Sequence, residues 1–236
     1  MELLENYIDG KALAPLSGDY TDIVDPTTGE AYVKAPLSGQ ADVDAAFEAA
    51  ARAFRDWRRT TPGERSLLLF RVADALEARK EEFVEAECRN TGKPVAFVRD
   101  AEFPGTVEYL RFYAAAARDL RGLAGGSFLS GFESTVRREP VGVCGLVSPW
   151  NYPLAMAVWK FGPAIAAGNT VVLKPSDTTP VTSLLAAQVI GEILPPGVLN
   201  VIGGTRETGR LLVAHPTPEL ISVTGSERAG VEVSTS

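Results

Sequence analysis

From Val143 to Thr224 the chain alternates short apolar runs with longer segments of helical period. That order limits the fold more than any other feature of its 236 residues. Val143-Cys144-Gly145-Leu146-Val147 and Thr170-Val171-Val172-Leu173 are apolar on both faces, as strands buried inside a parallel sheet are. Further runs stand at 198–202 and 220–224, with helical segments near 155–167, 181–193 and 208–214 between them, and Pro195-Pro196-Gly197 breaks the chain before the third strand. This order predicts an α/β fold with a doubly wound, mostly parallel sheet of about four strands and right-handed crossovers.

Both leading strands end in polar residues and prolines: Ser148-Pro149-Trp150-Asn151-Tyr152-Pro153 after the first, Lys174-Pro175-Ser176-Asp177 after the second. Open α/β sheets bind ligands in the crevice outside the carboxyl ends of their strands, so Asn151, Lys174 and Asp177 are expected to face one site. Gly203-Gly204 with Gly209 follow the third strand, and Gly225 with Ser226 the fourth. A glycine and a hydroxyl opening a helix suit an anion, although no G-x-G-x-x-G is present and plain turns explain Gly204 and Gly209 equally well.

Ahead of this core, residues 1–36 read as a β-meander, with turns at Tyr7-Ile8-Asp9-Gly10 and Asp25-Pro26-Thr27-Thr28-Gly29-Glu30. Val43, Phe47, Ala50, Phe54 and Trp57 then mark a helix, Thr61-Pro62-Gly63-Glu64 a capping-box start of the next, and Thr91-Gly92-Lys93-Pro94 a helix stop. A further helix presents Val107, Leu110, Tyr113 and Ala117 on one side as core. Gly122 to Gly126 breaks the pattern, and the mixed stretch 128–139 is an exposed hairpin or a solvated loop.

A net charge of -7 offers no basic patch to nucleic acid or an anionic membrane. No apolar run is long enough to span a bilayer, and Glu2, Glu5, Asp9 and Lys11 interrupt any signal-peptide core. Cys88, Cys144 and the lone His215 make neither a disulfide framework nor a histidine-rich metal site, so a reducing cytoplasm is the default and no metal is expected. Cys144, inside an apolar strand, reads as an unreactive thiol, and His215, before Pro216, as solvent-facing.

Pro140-Val141-Gly142-Val143-Cys144-Gly145, Pro149-Trp150-Asn151, Gly162-Pro163-Ala164, Gly168-Asn169, Lys174-Pro175-Ser176 and Val223-Thr224-Gly225-Ser226 stand in a telling order and spacing. Together they resemble the coenzyme half of the NAD(P)-dependent aldehyde dehydrogenase family, closest in character to aminobutyraldehyde and betaine-aldehyde enzymes. The resemblance implies a Rossmann-like coenzyme core at 141–236, a β-hairpin oligomerisation arm at 123–140 and a helical segment at 1–122 packed on the core. It also implies a homo-oligomer that oxidises a small aldehyde to a carboxylic acid.

By the same resemblance, Asn151 donates to the oxyanion formed at the aldehyde carbon, although a side chain of this type also suits support of its own turn. Pro149, Trp150, Lys174, Ser176, Asp177, Gly204, Gly209, Gly225 and Ser226 are assigned to NAD, with NADP the second possibility. A strand-end lysine brings a mobile cation with three donors, and a carboxylate accepts from ribose hydroxyls and repels a 2'-phosphate; Asp177 equally suits a cap on the next helix. Tyr152, Ala155, Met156 and Trp159 fall where the family lines its aldehyde funnel, while as bare sequence they are one helix face that could be core. Glu102 and Glu108 are offered as anchors for a cationic aldehyde, against plain surface carboxylates as the usual alternative. The family's nucleophilic cysteine and general-base glutamate fall beyond Ser236, so the expected chain is truncated and inactive alone, with an inactive NAD-binding or subunit-interaction module as the alternative.

Overall fold

The first 36 residues form five short strands that serve two different sheets: β1 (Glu2–Leu3), β2 (Asn6–Ile8), β3 (Lys11–Leu13), β4 (Tyr20–Val24) and β5 (Ala31–Pro36). In this computed structural model, which describes residues 1–120, 122 and 125–235, β1, β5 and β4 make a small three-stranded sheet. The hairpin β2–β3 leaves them and joins the central sheet, so the expected meander is not one unit. Its turn is the predicted one: Asp9 and Gly10 both take positive φ, 53° and 78°.

The helical layer follows the sequence signals closely. α1 (Gln40–Trp57) buries Val43, Phe47, Ala50 and Trp57. α2 (Pro62–Ala78) opens on the predicted capping box: Thr61 Oγ1 accepts from Glu64 N–H, and Glu64 Oε2 accepts from Thr61 N–H at 2.6 Å. α3 (Lys80–Thr91) stops at Gly92, whose φ of 73° is left-handed. After it come α4 (Val95–Phe97), a π-helical turn at Val98–Glu102, and α5 (Phe103–Ala116), which begins earlier than the periodicity suggests. Pro104 has no N–H to continue the ladder, and Phe103 N–H reaches back five residues to Val98 O, which accounts for the π register.

The stretch 121–124 lies mostly outside the described residues, and with it part of the expected break at Gly122–Gly126. Beyond it, β6 (Gly126–Leu129) and β7 (Phe132–Ser134) form an isolated hairpin turning through Gly131 at φ 83°. The core then alternates: β8 (Val143–Val147), α6 (Pro153–Ala166), β9 (Thr170–Lys174), α7 (Val181–Gly191), β10 (Leu199–Val201), α8 (Arg206–Ala214), β11 (Leu220–Val223) and α9 (Glu227–Ser234).

The central sheet has the order β11-β8-β9-β10-β2-β3 among the described residues: β11, β8, β9 and β10 are the parallel strands expected from sequence, and the antiparallel β2 and β3 extend them at one edge. Alternate strand residues face opposite layers. Cys144, Leu146, Val171 and Leu173 pack with α2, α5, α6 and α7, whereas Val143 and Val172 pack with Phe47 of α1 and Leu212 of α8. The strands are therefore apolar on both faces because both faces are covered. The chain crosses from β8 to β9 and β10 on one side and returns to β11 on the other, so the strand order reverses beside β8. Such a switch point opens a crevice at the strand ends.

Candidate functional site

A groove of about 1020 Å³ lies at that switch point. Its walls come from the loop after β8 (Ser148, Pro149, Trp150, Asn151), the end of β9 (Lys174, Ser176, Asp177), the loop after β11 (Thr224, Gly225, Ser226) and the facing sides of α8 and α9. The parallel register Val147↔Lys174 and Val223↔Val147 brings these three loops level, which is why residues 75 apart in sequence share one cavity.

Lys174 is the most constrained of them. It is 4% exposed, and its ammonium donates to the carbonyls of Pro175 at 2.6 Å and Gly204 at 2.8 Å. It is thus a fixed cation with one N–H left over, and not the mobile one expected from sequence. Burial pushes its ammonium down to about 8, with Asp177 opposing the shift. Gly204 lies outside the groove and supports it from behind. Its φ of 147° and the 2.1 Å that a Cβ would leave to Thr208 Oγ1 admit glycine alone. Gly209 lines the groove against the lysine stem, where a Cβ would meet Lys174 Cε at 3.4 Å.

Asp177 is exposed and does not cap α7, whose N-cap is Pro180. Ser176 Oγ donates to Asp177 Oδ1 at 3.3 Å. Ser226 is the N-cap of α9, and its Oγ accepts from Ala229 N–H at 3.3 Å. The N–H groups of Glu227 and Arg228, in the first turn, have no partner within the helix. Three residues that the sequence reading missed also line the groove: Arg206 and Arg210 of α8 and Glu232 of α9, with Arg206 paired to Glu232. Helical amphipathicity put them on a polar face, but only the packing shows which groove that face borders.

Trp150 is 66% exposed and Asn151 is exposed. Among the described residues the Asn151 side chain makes no hydrogen bond, so it does not brace its own turn. The turn is instead held by Thr179 Oγ1, which donates to Trp150 O at 3.0 Å. Tyr152, Ala155, Met156 and Trp159 lie outside the groove, on one side of α6. Trp159 is 46% exposed, edge-on to Tyr109 with ring centroids 5.1 Å apart, Tyr152 and Met156 are partly open, and Ala155 is buried.

Other expectations need correction. The Glu102 side chain is buried and committed to Lys93 at 2.6 Å, and Glu108 pairs with Arg111 at 3.0 Å, so neither stands free for a cationic ligand. His215 is not solvent-facing: its ring stacks on Phe47 at 4.4 Å, with Nε2 3.3 Å from Asp44. Cys144 is buried and its thiol pushed up to about 11, as an inert thiol should be. Among the described residues no group of His, Cys, Asp and Glu could hold a metal, and no helix is long and apolar enough to cross a membrane.

A doubly wound sheet with a groove at its switch point and no G-x-G-x-x-G turn defines a dinucleotide-type domain of unusual fingerprint. The chain belongs to the aldehyde dehydrogenase family, whose model matches residues 14–236. It is 45% identical over 226 residues to 2-aminomuconic semialdehyde dehydrogenase of Danio rerio, covering 95% of this chain and 46% of that protein. It is 42% identical over 228 residues to acetaldehyde dehydrogenase 2 of Cupriavidus necator, covering 96% and 45%. The NAD+ complex of an aldehyde dehydrogenase from Bacillus cereus superposes with a TM-score of 0.96 at 33% identity, covering 99% of this chain and 48% of that one. The chain thus spans about half the length of the relatives it matches.

Proposed function

We propose that this chain is the coenzyme-binding half of an enzyme that oxidises an aldehyde to a carboxylic acid with NAD. The observation that carries the reading is the meeting of Asn151, Lys174 and Asp177, from two adjacent strand ends, on one groove. The donor set fits an adenine dinucleotide. The remaining N–H of Lys174 and the open carboxylate of Asp177 suit the two hydroxyls of a ribose, and a carboxylate there disfavours a 2'-phosphate, which ranks NAD above NADP. The first turn of α9, with Gly225 and Ser226 at its mouth, offers N–H groups and a dipole to a pyrophosphate. The indole of Trp150, largely open, and Pro149 beside it supply an apolar wall.

The bound coenzyme supplies the hydride acceptor. Asn151 supplies an amide N–H to the aldehyde oxygen as negative charge builds there, and its lack of a hydrogen bond to any described residue leaves it available for that. Tyr152, Met156 and Trp159, with Ala155 behind them, form the aldehyde side of the turn. The relatives named above are called after different aldehydes at similar identity, so the family reading is held at the level of a small aldehyde. The exposed Phe128, Leu129 and Phe132 of the β6–β7 hairpin suit contact with a second copy, in keeping with an arm at 123–140 between a 1–122 segment and a 141–236 core. Two free cysteines suit a reducing cytoplasm.

The test is NAD titration of the protein followed by Trp150 fluorescence. Quenching that saturates, is lost in Trp150→Phe and weakens in Asp177→Ala supports the assignment. The absence of quenching or heat at millimolar NAD removes it.

A further inference from the structure

Lys93 lies just past the Gly92 cap of α3, and groups from three elements enclose its ammonium. Glu87 Oε1 of α3 is 3.2 Å away, Glu102 Oε1 of the π turn 2.6 Å, and the centroid of the Tyr152 ring 4.3 Å. Both carboxylates are buried, with side chains 3% and 5% exposed. Thr182 Oγ1 of α7 donates to Glu87 Oε2 at 2.7 Å, while Glu102 Oε2 has no hydrogen-bond partner among the described residues.

Two buried carboxylates around one ammonium make a poor stabilising device. Taking three charges out of water costs more than one Lys shared between two Glu returns, and apolar residues of similar volume would serve stability as well or better. Burial accordingly holds the Glu87 carboxyl up to about 7. What the cluster does that apolar packing could not is fix a cation in space, and that cation faces an aromatic ring.

The ring belongs to a turn with little support of its own. Tyr152 is the N-cap of α6, at φ -138° and ψ 64°, and makes no side-chain cap bond. The segment Trp150–Tyr152 is held from outside at its two ends, by Thr179 on the Trp150 carbonyl and by Lys93 on the Tyr152 ring. Asn151 stands between these anchors. We propose that Lys93 is a positioning residue: held by Glu87 and Glu102, it fixes the Tyr152 ring and thereby the direction of the Asn151 amide. The catalytic consequence rests on the oxyanion role proposed above for Asn151.

The test follows the 19F resonance of Trp150 in the whole protein labelled with 5-fluorotryptophan, assigned by Trp150→Phe, with no coenzyme present. Lys93→Met alone leaves two buried carboxylates unpaired and risks misfolding. The informative variant is therefore Glu87→Gln/Lys93→Met/Glu102→Gln, with Lys93→Arg as the conservative rescue.

The triple variant is expected to melt no lower than the wild type, with the Trp150 resonance moved or broadened and that of Trp57 unchanged. In the whole enzyme, kcat for aldehyde oxidation should fall roughly 10- to 100-fold, as displacement of a catalytic group does, with the NAD dissociation constant within about twofold. Lys93→Arg should restore both the resonance and most of kcat. A folded triple variant whose Trp150 resonance and kcat match the wild type overturns the proposal, and so does a triple variant that cannot fold, since the cluster would then be structural. Inactivity of this chain by itself is what the half-enzyme reading expects; inactivity of the whole enzyme would defeat the functional reading instead, and the Trp150 resonance would still decide whether Lys93 sets the turn.

Discussion

Lys174 Nζ donates to the carbonyl of Gly204 at 2.8 Å, so the cation at the end of β9 is tied to the backbone that follows β10. With its ammonium pushed down to about 8 by burial, Lys174 carries its charge at neutral pH and loses it not far above. NAD affinity is expected to fall as pH rises from roughly 7 to roughly 9.5, by calorimetric titration, and to be weaker and flatter with pH in Lys174→Met. The effect on stability has the opposite sign. The unfolded lysine keeps its proton to about 10.4, so between about 8 and that value the native state binds fewer protons and this group adds stability as pH rises.

Asn151→Ala should leave NAD binding near its wild-type value, because the adenosine-side groups of the groove remain. Removing one oxyanion donor elsewhere costs about 10²- to 10³-fold in turnover, and a kcat loss of that order is expected in the whole enzyme. Parallel loss of NAD affinity, measured by fluorescence, would assign Asn151 to the coenzyme instead.

Glu87 gives a second pH signature, with its carboxyl raised to about 7 chiefly by burial against a smaller opposing effect of Lys93. A raised carboxyl binds a proton more tightly in the native state, so its contribution is fully present below the unfolded value near 4.3 and is lost as pH climbs through about 7. Urea unfolding of wild type and Glu87→Gln should show the wild type comparatively more stable at roughly pH 5 than at roughly pH 8. A difference independent of pH would mean that Glu87 is ionised throughout.

Gly204→Ala should destabilise by roughly 2–4 kcal/mol, because the new methyl both overlaps the Thr208 side chain and sits at a φ that L-residues avoid. A shift of the urea midpoint, with the slope unchanged, measures this. Thr208→Ser, which removes the methyl group but keeps the hydroxyl bonded to Ser38 O at 2.7 Å, should recover only part of it.

The helical layer was legible because its signals are local. Thr61 and Glu64 form a capping box wherever that spacing opens a helix, and Gly92 ends one for reasons confined to its own φ. The parallel core was legible because a strand covered on both faces must be apolar on both. The errors fell where a partner comes from far along the chain. Nothing near Asn6–Ile8 announces pairing with Val201, nothing near His215 announces the ring of Phe47, and Glu102 looks like any surface carboxylate until the π turn aims it at Lys93.

The sequence by itself determined the order of strands and helices, the parallel sheet and the polar residues that end each strand, since periodicity, caps and prolines act within a few residues. The tertiary structure alone decided that Lys174 is pinned by two carbonyls, that the Asn151 side chain has no hydrogen bond among the described residues, and that Arg206 and Glu232 share the groove. Those outcomes depend on which loops the sheet brings level at its switch point. Burial and distance, unlike propensity, exist only after the chain has closed on itself.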